Sequence, residues 1–192
     1  MGTIVVSLNS TVDGGFADPT GEEGAAGGGW FARMSARDQE AFGRLALEEA
    51  LASDAFLMGR RTYAFLASRW PARTGPLADR LNSLDKHVVS TTLGTATWSG
   101  TTVIRCDAVA EVAALKQRVA REIVVPASFG LVRTLLEHDL VDELRMLVFP
   151  ALLGASVPAL PIADRPVPLQ LRSSRLVGEH LTQSVYMVER SS

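Results

Sequence analysis

The residues best suited to chemistry in this chain come in sets that each follow a short apolar run. Gly59-Arg60-Arg61-Thr62 follows Ala55-Phe56-Leu57-Met58 and opens a stretch with helical spacing. Glycine permits close backbone approach, and a helix start offers unpaired N–H groups to an anion. Two arginines add planar forks that fit phosphate oxygens. Ser90-Thr91-Thr92 supplies hydroxyls after Val88-Val89. Ser128, with Phe129, Gly130 and Leu131 behind it, opens another helical stretch after Val124-Val125 and offers a second anion site. Asn9, Ser10, Thr11 and Asp13-Gly14 follow the first apolar run. The first three of these sets suit a phosphorylated ligand, and the placement of Gly59-Arg60-Arg61-Thr62 after a strand, with a hydroxyl cluster after the next one, points to a dinucleotide. An arginine pair at a helix start is equally compatible with a plain solvated surface.

Asp13 is the candidate catalytic group, able to orient a substrate or relay a proton. The plainer role for an aspartate before glycine is to make the turn. From Gly14 to Gly29 the chain carries seven glycines. A loop that long is either a lid over a site or a flexible surface insertion. It ends at Trp30, which could stack on a flat heteroaromatic substrate or pin the loop by packing. No cluster of His and Cys suggests a metal. His87, His138 and His180 lie far apart, and Cys106 stands alone.

These groups need a scaffold. Thr3–Leu8, Ala55–Met58, His87–Ser90, Thr102–Ile104, Ile123–Val125 and Leu144–Phe149 read as strands. Helical patterns run from Ser35, a plausible N-cap, to Ala52, from Gly59 to about Ser68, from Asp107 to about Ala120, and from Ser128 to His138. Leu169–Leu176 and Thr182–Val188 alternate as antiparallel partners. Strands alternating with helices predict an α/β fold, mostly parallel, with antiparallel C-terminal strands. In such a sheet ligands bind beyond the carboxyl ends of the strands, where the candidate residues fall.

The chain has 192 residues, 47% hydrophobic and 21% charged, which fits one globular domain over 1–192. A net charge of −2 gives no basic excess for nucleic acid. No apolar run approaches a membrane span, and the N-terminus lacks a leader's basic region. The expectation is a cytoplasmic protein. No G-x-G-x-x-G follows the first strand, and no P-loop, H-E-x-x-H or G-x-S-x-G occurs.

Leu57-Met58-Gly59-Arg60-Arg61-Thr62-Tyr63 resembles the dihydrofolate reductase superfamily. The chain is most similar to the branch that resembles the C-terminal reductase domain of the bifunctional riboflavin biosynthesis protein. Thr11-Val12-Asp13-Gly14, Trp30, Val88-Val89-Ser90-Thr91-Thr92, the stretch Leu131–Leu136 followed by Leu140–Leu144, and Pro150-Ala151-Leu152-Leu153-Gly154 carry the resemblance in order. It implies a three-layer α/β/α sandwich on a mixed sheet. It also implies a reductase like 5-amino-6-(5-phosphoribosylamino)uracil reductase, with NADPH as hydride donor and a homodimeric assembly. Arg60 or Arg61 would then face the 2′-phosphate, Thr62 the pyrophosphate, and Ser90 and Thr91 the adenosine end. The Gly14–Gly29 loop would close over nicotinamide. The chain departs from the branch at Pro126-Ala127-Ser128, where relatives have glycine, and at Gly15, where a basic residue is common. A non-catalytic member that binds a nucleotide or small molecule is the alternative.

Overall fold

A computed structural model describes residues 1–25, 27–154 and 163–189. In chain order the elements are β1 (Thr3–Thr11), a short 3-10 helix (Trp30–Arg33), α1 (Ala36–Ala52), β2 (Ser53–Gly59) and α2 (Arg60–Ala67). There follow α3 (Pro76–Ser83), β3 (Asp85–Val89), β4 (Thr101–Ile104), α4 (Ala108–Arg118) and β5 (Glu122–Pro126). The last are α5 (Phe129–Glu137), β6 (Glu143–Phe149), β7 (Leu169–Val177) and β8 (Leu181–Val188). The eight strands among the described residues form one sheet in the order β4-β3-β2-β5-β1-β6-β8-β7. β1 to β6 are parallel, and β8 pairs antiparallel with both β6 and β7.

The central strands are apolar on both sides because both faces are covered. Ile4, Val6, Leu8, Ile123 and Val125 pack with Val112 and Leu115 of α4 and with Val132 and Leu135 of α5. The intervening Val5, Val124, Phe56 and Met58 pack on the other face with Ala50 of α1, Tyr63 of α2 and Leu81 of α3. The result is the three-layer α/β/α sandwich on a mixed sheet that the family resemblance implied, with the mostly parallel order and antiparallel C-terminal strands that the alternation predicted.

Two details differ from the sequence reading. β1 continues three residues past Leu8, because Asn9, Ser10 and Thr11 pair with Leu147, Val148 and Phe149. Ser10 and Thr11 are therefore buried strand residues, not part of a loop. The helix α3 is additional. Eight residues behind a Gly-Pro pair give too little periodicity to announce a helix, yet Pro76 starts it and Ala78 and Leu81 bury its inner face.

Candidate functional site at the carboxyl edge

β2 and β5 are neighbours, but the chain leaves them in opposite directions: α2 returns on one face and α5 on the other. Such a divergence opens a crevice at the carboxyl ends of the strands. Gly59 and Ser128 stand on its two sides. The Ser128 hydroxyl accepts a hydrogen bond from the Gly59 N–H at 3.0 Å and donates one to the Thr62 hydroxyl at 2.8 Å. Ser128 occupies the N-cap position of α5, where serine ordinarily caps its own helix. Here it makes no such bond, and Gly59 has no side chain to cap α2. Two helix starts are thus tied side by side with neither capped by a side chain. The first-turn N–H groups of both are of the kind that receive anions.

Arg60 and Arg61 lie exposed beside this crevice, and Gly130 is surrounded by open space. Ala127 and Ser128 are both in the left-handed region, with φ of 49° and 62°. Consecutive non-glycine residues in that region carry a real conformational cost. The Ser128 bonds and the Ala127 N–H bond to the Ser7 carbonyl, at 3.1 Å, hold the bend. Phe129 does not face a ligand freely, since its ring meets Phe16 of the glycine-rich loop edge-on at 4.3 Å. The Leu131 side chain is buried in the core, leaving only its backbone for the site.

After β3, Ser90 is buried and its hydroxyl accepts from the N–H groups of Thr92 (3.2 Å) and Leu93 (2.9 Å). It shapes the turn that exposes Thr91 and Thr92. The rest of that loop is fixed by groups the sequence reading passed over. The Tyr63 hydroxyl accepts from the Thr97 and Trp98 N–H groups. Fully buried Lys86 donates to the carbonyls of Asn82, Leu84 and Ser99 beneath the Trp98 ring.

Asp13 joins two loops. One carboxylate oxygen accepts from the Leu153 and Gly154 N–H groups at 2.7 and 2.9 Å, and the other from the Thr11 hydroxyl at 2.5 Å. The Thr11 bond and these N–H bonds bring its pKa down to about 2. It is ionised at neutral pH. Gly15, two residues on, has no room for a side chain: a Cβ would lie 2.7 Å from Leu153 and 2.8 Å from the Thr11 hydroxyl.

Trp30 is 2% exposed, and its ring meets Phe31 and Phe149 edge-on. Its indole N–H donates to the Ala17 carbonyl at 3.1 Å. This is the packing role, and substrate stacking is closed to it in this conformation. The loop before it is built around Asp18, whose carbonyl accepts from Gly21 and Gly29 and whose carboxylate accepts from Ala25. The loop reaches α5 through Phe16 and the end of α2 through an ion pair between Glu22 and Arg69. No sequence signal marks Phe16, Glu22 or Arg69, because each acts through a partner distant in the chain.

A separate cavity of about 390 Å³ lies at the opposite end of β2 and β3, bounded by Asp54, Asp85, His87 and Arg118 among others. It includes none of the predicted site residues. Among the described residues no group of three or more His, Cys, Asp or Glu side chains could hold a metal, and no helix is long and apolar enough to cross a membrane.

The class that this fold defines is the α/β sandwich of the dihydrofolate reductase type. Dihydrofolate reductase from Enterococcus faecalis, complexed with NADP(H), superposes with a TM-score of 0.62 at 12% identity over 98% of this chain and 97% of that one. A candidate riboflavin biosynthesis protein from Shewanella sp. PV-4 gives 0.73 at 22% identity, covering 98% and 99%. The Thermotoga maritima diaminohydroxyphosphoribosylaminopyrimidine deaminase/5-amino-6-(5-phosphoribosylamino)uracil reductase gives 0.62 at 12% identity, and this chain spans 56% of its length. A comparison with curated protein sequences finds no match. The sequence model of the RibD C-terminal domain matches residues 2–182. The chain belongs to the RibD C-terminal domain family, the reductase-like branch that its motifs resemble.

Proposed function

We propose that this protein is an NADPH-dependent reductase that delivers hydride to a small, flat or ribosylated heterocycle, in the manner of 5-amino-6-(5-phosphoribosylamino)uracil reductase. One observation carries the reading. A serine that should cap α5 is diverted to bridge α5 to α2, leaving two helix starts uncapped at the sheet's switch point. A dinucleotide diphosphate fits that pair of donors, and Arg60 or Arg61 would hold the 2′-phosphate that distinguishes NADPH from NADH. Thr62 and the backbone at Phe129, Gly130 and Leu131 would line the diphosphate, and Ser90, Thr91 and Thr92 the adenosine end.

NADPH supplies the hydride when bound; this chain's part is to align the acceptor and exclude water. The Asp18-centred loop, packed through Phe16 on Phe129, is the excluding element. Asp13 fixes the floor of the substrate side by holding Thr11 to Leu153 and Gly154. With that carboxylate ionised, the proton that accompanies hydride comes from water. We place the protein in the cytoplasm as a homodimer. Leu171 and Leu176, exposed by 56% and 64% on the edge strand β7, form with Leu169 an apolar strip that a second copy would cover. Light scattering that gives the monomer mass at micromolar concentration would remove the dimer.

Calorimetric titration with NADPH and separately with NADH tests the whole reading. The expected result is micromolar or tighter binding of NADPH and at least tenfold weaker NADH. Binding of neither would leave the non-catalytic reading, with the Ala127 Cβ standing where relatives have glycine.

A further inference from the structure

Acidic residues stand at the amino ends of β2, β3, β5 and β6, and all but one of these charges are met. Asp54 on β2 is held by Arg121, and Glu122 on β5 and Glu143 on β6 are both held by Arg145. The exception is Asp85, the first residue of β3. Its exposed side chain makes no hydrogen bond or ion pair with any described residue. Lys86 beside it points to the other face of the sheet, where three carbonyls hold it. Arg118, exposed in the last turn of α4, and the half-buried ring of His87 are likewise without a hydrogen-bond or ion-pair partner among the described side chains and backbone. All three line the cavity of about 390 Å³ at the amino ends of β2 and β3. Asp54 also borders it, but its carboxylate is already taken by the Arg121 side chain and N–H. Leu115 and Val119 supply an aliphatic part of the wall.

We propose that this cavity is a second small-molecule site, for a zwitterionic α-amino acid with an aliphatic side chain. Its ammonium group would meet Asp85, its carboxylate Arg118, and its side chain Leu115 and Val119. Asp85 and Arg118 carry opposite charges into one cavity and form no ion pair across it. A ligand with a single charge can complete only one of them, and it brings that charge near a like one at the other end. A ligand with both charges completes both through charge-assisted hydrogen bonds. Burial holds His87 below its ordinary pKa, so its ring is neutral at neutral pH and leaves the two charges balanced. A neutral imidazole also offers one donor and one acceptor to the ligand. The cavity lies at the opposite ends of the strands from Gly59 and Ser90 and shares no residue with the cofactor crevice. The inference therefore stands without the reductase reading.

The test is calorimetric titration of the full chain with L-leucine, with 4-methylpentanoate, which lacks the amine, and with 3-methylbutylamine, which lacks the carboxylate. L-leucine is expected to bind at least about tenfold more tightly than either analogue, the worth of one charge-assisted hydrogen bond. Asp85→Asn and Arg118→Gln keep the shapes of the two side chains and remove one charge each. Neither side chain has a partner to lose, so the unfolding midpoint should not move. Each variant is expected to weaken L-leucine about tenfold. Arg60→Ala with Arg61→Ala, at the other edge of the sheet, is expected to leave L-leucine affinity as it was. No binding of L-leucine, or binding no tighter than that of the analogues, overturns the proposal. So does a loss in only one of the two charge variants, which describes a site for a single charge. A loss in the Arg60 and Arg61 variant places the amino acid in the crevice and overturns it as well.

Discussion

α1 and α4 begin on side chains that close them, whereas α2 and α5 begin on none. The Ser35 hydroxyl accepts from the Asp38 N–H, and the Asp107 carboxylate accepts from the Ala110 N–H. α1 is closed further by Asp38 itself, which is 2% exposed and binds the β7–β8 turn. Its carboxylate accepts from the N–H groups of Glu179 (2.7 Å) and His180 (3.1 Å), the His180 ring (2.9 Å) and the Ser35 hydroxyl (3.0 Å). At α5 the equivalent serine turns away from its helix towards Gly59 and Thr62. At the same carboxyl edge of the sheet, the same residue type in the same cap position thus closes one helix and leaves the donors of another available. A start capped by a side chain has one of its first-turn donors already taken, whereas an uncapped start keeps N–H groups that water or an anion can take.

The largest expected effect is at the closed start. Asp38→Ala strips four donors of their acceptor and should lower stability by about 3–5 kcal/mol, as loss of a buried charged partner does. Chemical unfolding checks it, and the affinity of the folded fraction for NADPH should stay as it was. Burial alone would raise the Asp38 pKa, but the bonds from His180, Glu179 and Ser35 outweigh it and hold the group below its ordinary value. A depressed folded pKa contributes stability above the unfolded value, near 3.8, and that contribution drains away as pH falls below it. The gap between native protein and Asp38→Asn should therefore narrow between pH 5 and pH 3 (about 4 marks the onset). A gap that widens on acidification would mean that the cluster is held by something other than the carboxylate.

The next effect falls on the open starts. Arg60→Ala with Arg61→Ala should weaken NADPH by roughly 100-fold, about two charge-assisted hydrogen bonds, with NADH and thermal stability little changed. Equal losses for both cofactors would place the arginines on the diphosphate instead of the 2′-phosphate.

Much of this arrangement was legible beforehand. Strand and helix positions followed from periodicity, because parallel strands covered on both faces read as continuous apolar runs. The placement of Gly59, Arg60 and Arg61 at the carboxyl end of β2 was legible because they follow an apolar run directly. What Ser128 does was not legible, since serine before a helix signals a cap whether or not its hydroxyl turns elsewhere. Asp13 and Trp30 were visible as residues, but their partners, Leu153, Gly154, Phe149 and Ala17, are set by chain crossings that spacing does not encode. Both lysines, Lys86 and Lys116, are buried, contrary to their usual preference. The carbonyls that receive them arise only once α3 and the ends of neighbouring elements are in place.

Exchanging the two serines sharpens the comparison at smaller amplitude. Ser35→Ala should cost about 1 kcal/mol of stability, the usual value of an N-cap, and leave cofactor binding intact. Ser128→Ala should do the reverse. The α5 start loses no side-chain cap, but Gly59 and Thr62 lose their bridge and the two helix starts are no longer held in register. NADPH affinity should fall about tenfold, the equivalent of about 1.4 kcal/mol. Thr62→Val, which keeps the shape and removes the acceptor, should show part of the same loss. Stability changes without affinity changes in both serine variants would reduce Ser128 to an ordinary structural contact.

The smallest effect is expected from Ala127→Gly, and its sign is informative. At φ 49° an alanine Cβ crowds its own backbone, at a cost of about 1–2 kcal/mol that glycine does not incur. Glycine is also freer in the unfolded chain, which returns up to about 1 kcal/mol of that gain. The net change in stability should therefore be a modest increase, about 0.5–1 kcal/mol, read as a raised unfolding midpoint. The effect on NADPH depends on whether the bend or the Cβ governs the site. If Ser128 sets the geometry, its bonds to Gly59 and Thr62 persist in Ala127→Gly and affinity stays within twofold. If the Cβ itself intrudes where the diphosphate runs, affinity rises instead, and the open helix starts would then be partly obstructed in the native sequence.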